Sequence, residues 1–175
     1  MDHLRYPIGR SVLPDPAAAA ELRTASLTAI GELPARLAES ARNLRAADRL
    51  DGPYRPGGWT ARQVIHHLAD SHANAYVRHK RILTEDHPTL TPYDEVRWAD
   101  LADVTAVPVA ASLEILRGLH LRWATLLATC TEEQWLRTGV HAASGTVFQL
   151  DQLAAEYAWH GQHHLAHLRL VLAQN

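Results

Sequence analysis

The chain has 175 residues, a net charge of −2 and 12 histidines; 47% of its residues are hydrophobic and 21% are charged. This length and composition are typical of a soluble globular protein and exclude a disordered one, so we expect residues 1–175 to form a single domain. The nearly neutral charge argues against a nucleic-acid partner or an anionic membrane surface. Histidine is the unusual component, because Met, Cys and Phe occur once each.

The cysteine content and the N-terminal segment both bear on the cellular compartment. Cys130 is the single cysteine, which excludes an internal disulfide. The segment "MDHLRYPIGRSVLPDP" lacks the continuous apolar stretch of a signal peptide, and the sequence contains no run of about 18 apolar residues. We therefore expect a cytoplasmic protein without a membrane-spanning segment.

The first long helix is predicted to follow "LPDP". Asp15 can cap this helix and Pro16 suits its first position, which opens an Ala-rich segment that extends to about residue 47. Gly31 and Pro34 interrupt the segment. We therefore expect a kink or a break near residue 33.

The second long helix is predicted from the start signal in "GGWT". Thr60 followed by Gln63 fits a capping box, so this helix should extend from residue 60 to about residue 84. Residues 85–108 are broken by Pro and Asp, and we interpret them as an extended connection with at most one short helical turn. The connection is long enough to cross the end of a helical bundle.

Two further long helices are predicted in the second half of the chain. Apolar residues and His120 recur at spacings of three and four from residue 109 to about residue 129, and a short capped turn follows at residues 131–137. The last helix should extend from residue 148 to about residue 173, after a short extended piece in "GTVFQL". No series of strands is visible. The pattern predicts an all-α fold, a four-helix bundle with at least one long crossover connection.

Four histidines fall within eight positions of the last helix. His160 and His164 are four residues apart, the spacing at which two imidazoles on one helix can share a metal ion. They also continue the apolar stripe of this helix. His163 and His167 form a second pair with the same spacing, offset around the helix. His163 falls on the flank of the stripe, whereas His167 continues the stripe and is expected to be a packed or hydrogen-bonded neighbour.

A catalytic zinc site usually has three protein ligands, so a facing helix would supply the third. The second helix offers His66, His67 and His72. His67 shares its stripe with small or polar residues, whereas the stripe of His66 looks more exposed; this favours His67 without excluding His66. Several other histidines fit a solvent-exposed flank: His3, His79, His87 and His163.

Acidic side chains near these histidines could support a metal site. Asp70 follows His67 by three residues and Glu156 precedes His160 by four. Either could orient a ligand imidazole or act as a base, and either could equally be an ordinary surface charge. The sequence contains neither H-E-x-x-H nor G-x-S-x-G, which excludes the zincin and nucleophile-elbow arrangements.

Several long motifs occur in order along the chain: "YPIG", "LDGPYRPGGWTARQVIHHLADSHANAYVRHK", "PYDEVRWADL", "LHLRWATLL" and "YAWHGQHHLAHL". Together they resemble the YfiT-type metal-dependent hydrolases of the DinB superfamily, over about residues 6–168. The resemblance implies a DinB-type four-helix bundle that holds one divalent metal ion through three histidines. Matched by motif, these ligands are His67, His160 and His164, which decides between His66 and His67. It also implies a cytoplasmic homodimer.

The leading functional hypothesis is an enzyme in which Zn²⁺, or Ni²⁺, activates a water molecule to attack a small-molecule electrophile. Asp70 and His163 are the candidate catalytic residues, as proton carriers beside the metal. An alternative is an S-transferase that activates a low-molecular-weight thiol such as bacillithiol, whose carboxylates three arginines could receive: Arg55, Arg78 and Arg97. A third interpretation is a non-catalytic metal-binding stress protein with a closed, four-ligand site.

Overall fold

The computed structural model describes residues 2–174 and contains four long helices, as predicted. Over these residues the elements are, in chain order, α1 (Asp2–Arg5), α2 (Pro16–Ala46), α3 (Ala61–Thr84), β1 (Thr89–Leu90), α4 (Glu95–Ala99), α5 (Ala102–Ala106), α6 (Val109–Ala128), α7 (Glu132–Trp135), β2 (Thr138–His141), β3 (Val147–Gln149) and α8 (Leu150–Leu172). Helices α2, α3, α6 and α8 form the bundle, and α2 packs most extensively against α8. The all-α four-helix bundle is confirmed.

A kink or a break was predicted near residue 33, and helix α2 is continuous there, so the break is absent. The start of α2 is as expected: Asp15 accepts a hydrogen bond from the backbone N–H of Ala18 at 2.9 Å. Pro34 lies inside the helix and has no N–H, which leaves the carbonyl of Ile30 without its usual donor four residues on. That carbonyl instead accepts a hydrogen bond from Nδ1 of His120 on α6, at 2.6 Å. The packing of α6 against α2 thus gives the Ile30 carbonyl the hydrogen bond that Pro34 cannot supply.

The capping box at the start of α3 is confirmed. The Thr60 hydroxyl accepts from the Gln63 N–H at 3.1 Å, and the Gln63 side chain accepts from the Thr60 N–H at 2.9 Å. The Gln63 amide also donates to the carbonyl of Ala99 at the end of α4. This contact fastens α4, and with it the segment "PYDEVRW", to the first turn of α3.

The connection between α3 and α6 is more regular than predicted, and a small three-stranded sheet accompanies the bundle. The connection contains β1, α4 and α5, and β1 pairs in parallel with β2, which pairs antiparallel with β3. Strand β3 lies within the extended piece predicted in "GTVFQL". These strands are two to four residues long, too short to show a period of two in sequence. None of the described helices is both long and apolar enough to cross a bilayer.

Close packing between α8 and α2 depends on Gly161, beside the histidine pair. A Cβ atom at this position would lie 2.7 Å from Cδ2 of Leu33, which is 1% exposed. We expect Gly161→Val to lower the free energy of unfolding by about 1–3 kcal/mol, because the added side chain would overlap the buried leucine and force it or the helix to shift. Urea denaturation measures the effect.

Two further variants test whether the lower stability of Gly161→Val comes from its contact with Leu33. Gly118→Val on α6, where a Cβ would meet nothing within 4 Å, should be close to neutral. Adding Leu33→Ala to Gly161→Val should cost less than the sum of the single changes, since the smaller side chain makes room. Additive effects of the two changes would contradict the proposed contact.

Candidate metal centre

Three imidazoles from two facing helices converge near the centre of the bundle. His67 lies on α3, while His160 and His164 lie one turn apart on α8. One nitrogen from each ring lies within 4.8 Å of the others, and Nε2 of His67 is 3.3 Å from Nε2 of His160. The structure therefore brings together the three residues that the sequence and the family resemblance singled out as ligands.

The chemistry of this cluster fits a divalent cation. Burial lowers the pKa of His67 to about 4, and burial followed by the neighbouring imidazoles lowers the pKa values of His160 and His164 well below the usual 6.5. All three rings are neutral near pH 7, which is the form that binds metal. Tetrahedral Zn²⁺ with bonds of 2.0–2.1 Å separates its ligand nitrogens by roughly 3.3 Å, as the His67 and His160 nitrogens are separated here.

The other histidines are less exposed than the sequence suggested. His66 is 6% exposed and Nδ1 of its ring is 2.8 Å from the Ser112 hydroxyl on α6, so it is buried but turned away from the cluster. The interpretation as an exposed flank is wrong for His79 and His163, which are 0% and 7% exposed. The same prediction is confirmed for His3 and His87, whose side chains are exposed.

Further imidazoles stand directly behind two members of the cluster. Nε2 of His72 is 3.1 Å from Nδ1 of His160, and Nδ1 of His72 is 2.9 Å from Nε2 of His120. Nδ1 of His167 is 3.3 Å from Nδ1 of His164, which agrees with the expectation of a hydrogen-bonded neighbour. The participation of His120 was missed, although its position in the apolar stripe of α6 was visible in the sequence.

Two open pockets meet at His160. The larger, of about 420 Å³, is lined by all three clustered histidines and by aromatic and basic side chains, and we call it the histidine pocket; its other lining residues include Arg5, Arg55, Trp59 and His163. The smaller, of about 310 Å³, we call the arginine pocket; its lining includes Arg78, His141, Glu156 and Tyr157. Glu95 and His160 line both pockets.

The candidate proton carriers have different surroundings. His163 lines the histidine pocket, stacks on Trp159 with ring centroids 4.6 Å apart, and has a buried Nδ1 without a hydrogen-bond partner among the described residues. Asp70 lines neither pocket; burial and then the carboxylate of Asp103 raise its pKa. Glu156 lines the arginine pocket and accepts a hydrogen bond from the Ser11 hydroxyl.

Glu95 is a site residue that sequence reasoning did not identify. It occupies the first turn of α4, which the Gln63 contact holds over the start of α3. The available signal was the acidic pair within "PYDEVRW", a motif in the family resemblance whose position relative to the histidines depends on the fold.

Comparison with known proteins agrees with this geometry. Residues 14–168 match the sequence model of the DinB superfamily. The chain belongs to the DinB superfamily. Among curated members, it is 40% identical to the Bacillus subtilis protein named "Putative metal-dependent hydrolase YfiT", over 95% of this chain and 92% of that protein. It is 43% identical to a protein of Bacillus licheniformis with the same description, over 97% and 95% of the two chains.

The DinB-type architecture is also shared with a solved structure. YfiT from Bacillus subtilis, described as having an unusual four-helix bundle topology, superposes with a TM-score of 0.91 at 40% sequence identity. The match covers 97% of this chain and 95% of that one. The bundle with its short accessory helices and strands is therefore an architecture that this member of the superfamily shares with YfiT.

Proposed function

We propose that this protein is a hydrolase that uses one divalent metal ion to act on a small-molecule substrate. The observation that carries the proposal is the convergence of three neutral imidazoles at the junction of two open pockets. The descriptions of the relatives as metal-dependent hydrolases support the same assignment.

His67, His160 and His164 would hold the ion, and an all-nitrogen donor set suits Zn²⁺ or Ni²⁺. A divalent ion held by neutral ligands keeps its full charge and supplies Lewis acidity, which acidifies water and polarises an electrophilic group. Among residues 2–174, the one group of side chains with metal-binding spacing has three members. Three protein ligands are typical of catalytic zinc sites, whereas closed structural sites have four, which argues against a purely structural role.

The remaining roles follow from which side chains reach the pockets. We assign Glu95 as the general base, because it is the acidic residue that lines both pockets with His160. His163 would contact substrate or water from the wall of the histidine pocket. Asp70 was also predicted to be catalytic, and from its position outside both pockets it would act through its neighbours.

Thiol transfer is the second candidate, and one observation favours it. Arg5 and Arg55 line the histidine pocket, where guanidinium groups could receive the carboxylates of a low-molecular-weight thiol. Arg97 lines neither pocket, and Arg78 already donates to the Tyr157 hydroxyl and to the Thr91 carbonyl at 2.7 Å. Of the three arginines predicted for this role, Arg55 is the one that lines the histidine pocket, and its Nη1 donates to the Pro56 carbonyl at 3.0 Å.

The test is a turnover assay with metal-free and Zn²⁺- or Ni²⁺-loaded protein on a panel of esters, amides and phosphoesters, with and without added bacillithiol. Hydrolysis that requires metal and no thiol is expected. Glu95→Gln should lower kcat by about 10²–10⁴-fold, as loss of a general base does. Glu133→Gln, which neutralises an exposed carboxylate on α7 that lines neither pocket, is the matched control.

The outcomes separate the candidates. If product forms only when bacillithiol is added, and that product is the thiol joined to the electrophile, thiol transfer would replace hydrolysis as the proposed reaction. Absence of metal-dependent turnover in both arms would remove the enzymatic proposal. His163→Ala and Asp70→Asn, assayed in the same way, test the two catalytic residues predicted from sequence.

A further inference from the structure

Two hydrogen-bonded rows of imidazoles support two of the proposed ligands. The long row starts at the carbonyl of Ile30 and passes through His120 and His72 to His160, with successive distances of 2.6, 2.9 and 3.1 Å. The short row starts at the carbonyl of Arg5 and passes through His167 to His164, with distances of 3.2 and 3.3 Å.

Both rows begin at carbonyl groups that lack the usual helical donor. Pro34 has no N–H to offer the Ile30 carbonyl four residues earlier in α2. Arg5 is the last residue of α1, where carbonyls have no intrahelical donor. A carbonyl can only accept, so the ring nitrogen facing it must carry a proton.

The proton positions along the long row follow from this starting point. Nδ1 of His120 donates to Ile30, so Nε2 of the neutral ring is an acceptor. Nδ1 of His72 must then donate to it, which makes Nε2 of His72 an acceptor in turn. Nδ1 of His160 donates to that atom. The lone pair of His160 is left on Nε2, the atom that faces His67.

The short row gives the same result for the other ligand of α8. Nε2 of His167 donates to the Arg5 carbonyl, so its Nδ1 accepts. Nδ1 of His164 must donate to it. The lone pair of His164 is therefore also on Nε2.

The rings that support the two ligands are buried, which favours their neutral form. His72, His120 and His167 are 0%, 1% and 2% exposed, and burial lowers the pKa of His120 to about 4. The long row also takes one group from each long helix: Ile30 from α2, His72 from α3, His120 from α6 and His160 from α8. The orientation of a ligand is thereby coupled to the packing of the whole bundle.

We propose that His72, His120 and His167 are positioning residues. Through them, the backbone carbonyls of Ile30 and Arg5 set the tautomers of His160 and His164, so that both Nε2 lone pairs are available to one cation. The role of the cation rests on the proposed function. The tautomers are a property of the metal-free protein, so they can be tested separately.

The first measurement is NMR of the imidazole nitrogens in the metal-free wild-type protein near neutral pH. We expect Nδ1 to be protonated and Nε2 to be unprotonated in both His160 and His164. The opposite tautomer in either residue would overturn the proposal for its row. This outcome does not depend on whether the protein hydrolyses anything.

The second measurement is metal affinity, by competition with a chromophoric chelator. His120→Leu and His167→Leu should raise the Kd for Zn²⁺ by about 10–100-fold, the usual effect of losing a partner behind a ligand. His120→Gln and His167→Gln should retain more of the affinity, because an amide can accept from one neighbour and donate to the other.

His79→Leu is the matched control, since His79 is a fully buried histidine on α3 that packs against Trp123 as His72 does but belongs to neither row. Its affinity should equal that of wild type. Leucine variants of the rows that bind Zn²⁺ as tightly as wild type would overturn the positioning role. Should a leucine variant fail to fold, the wild-type tautomers still decide the proposal. A wild-type protein that binds no metal but shows the expected tautomers would overturn the proposed function and the role of the cation, and would leave the tautomer assignment standing.

Discussion

Replacing His160 or His164 with alanine is expected to abolish stoichiometric binding of Zn²⁺ and, with it, any metal-dependent turnover. Either change leaves two of the three imidazoles that lie within 4.8 Å of one another. Two neutral nitrogens seldom hold a divalent ion against chelation by buffer, because catalytic zinc sites normally need three protein ligands. We expect the Kd to rise by more than about 100-fold, beyond the effect of losing a supporting group.

The measurement is metal content per chain by plasma mass spectrometry after exchange into metal-free buffer, with titration calorimetry for residual affinity. His67→Ala should behave in the same way, since it removes the ligand from the facing helix. His3→Ala, which removes an exposed histidine, is the control and should retain one metal ion per chain. Stoichiometric metal in His160→Ala or His164→Ala would refute the site.

The metal-free protein is expected to lose stability steeply as the pH falls from 7.5 to 4.5, in part because of His79. Burial lowers the pKa of His79 from 6.5 to about 4, and its Nε2 has no hydrogen-bond partner among the described residues. The unfolded chain therefore takes up a proton below pH 6.5 that the folded chain resists until about pH 4. Stability is fully present above pH 6.5 and is lost on acidification towards pH 4, by about 2–3 kcal/mol for this residue.

Urea denaturation at several pH values, with a chelator present, measures this loss. His79→Leu should make the decrease between pH 7.5 and 4.5 smaller by about 2–3 kcal/mol, because leucine takes up no proton. His3→Leu, at an exposed position, should leave the decrease unchanged. An identical pH dependence in wild type and His79→Leu would show that His79 titrates normally in the folded state.

Local signals in the sequence predicted the helices well. Asp15 with Pro16, and Thr60 with Gln63, cap α2 and α3 as expected, because a capping box needs only neighbouring residues. Pro34 also acts locally, and it predicted a kink or a break because it removes a hydrogen bond from the helix; the break is absent. The hydrogen bond from His120 to the Ile30 carbonyl joins residues 90 positions apart and depends on the packing of α6 against α2.

The residues of the candidate site were likewise predicted from the sequence only in part. The spacing of His160 and His164 made them a candidate chelating pair from sequence alone, because side chains four residues apart on a helix lie on one face. The placement of Glu95 between the two pockets was not predictable, since it depends on a contact between the start of α3 and the end of α4. The burial of His79 and His163 was missed because short range patterns do not show which flank a neighbouring helix covers.

The sequence by itself therefore determined the four helices, the candidate chelating pair on α8 and, through its motifs, the DinB family. These features depend on residues that are close in the chain or on the order of motifs along it. The tertiary structure decided which imidazoles stand behind the proposed ligands, that the two rows begin at the carbonyls of Ile30 and Arg5, and that Glu95 lines both pockets. The physical reason is that helix spacing fixes which side chains share a face, whereas only packing fixes what that face meets.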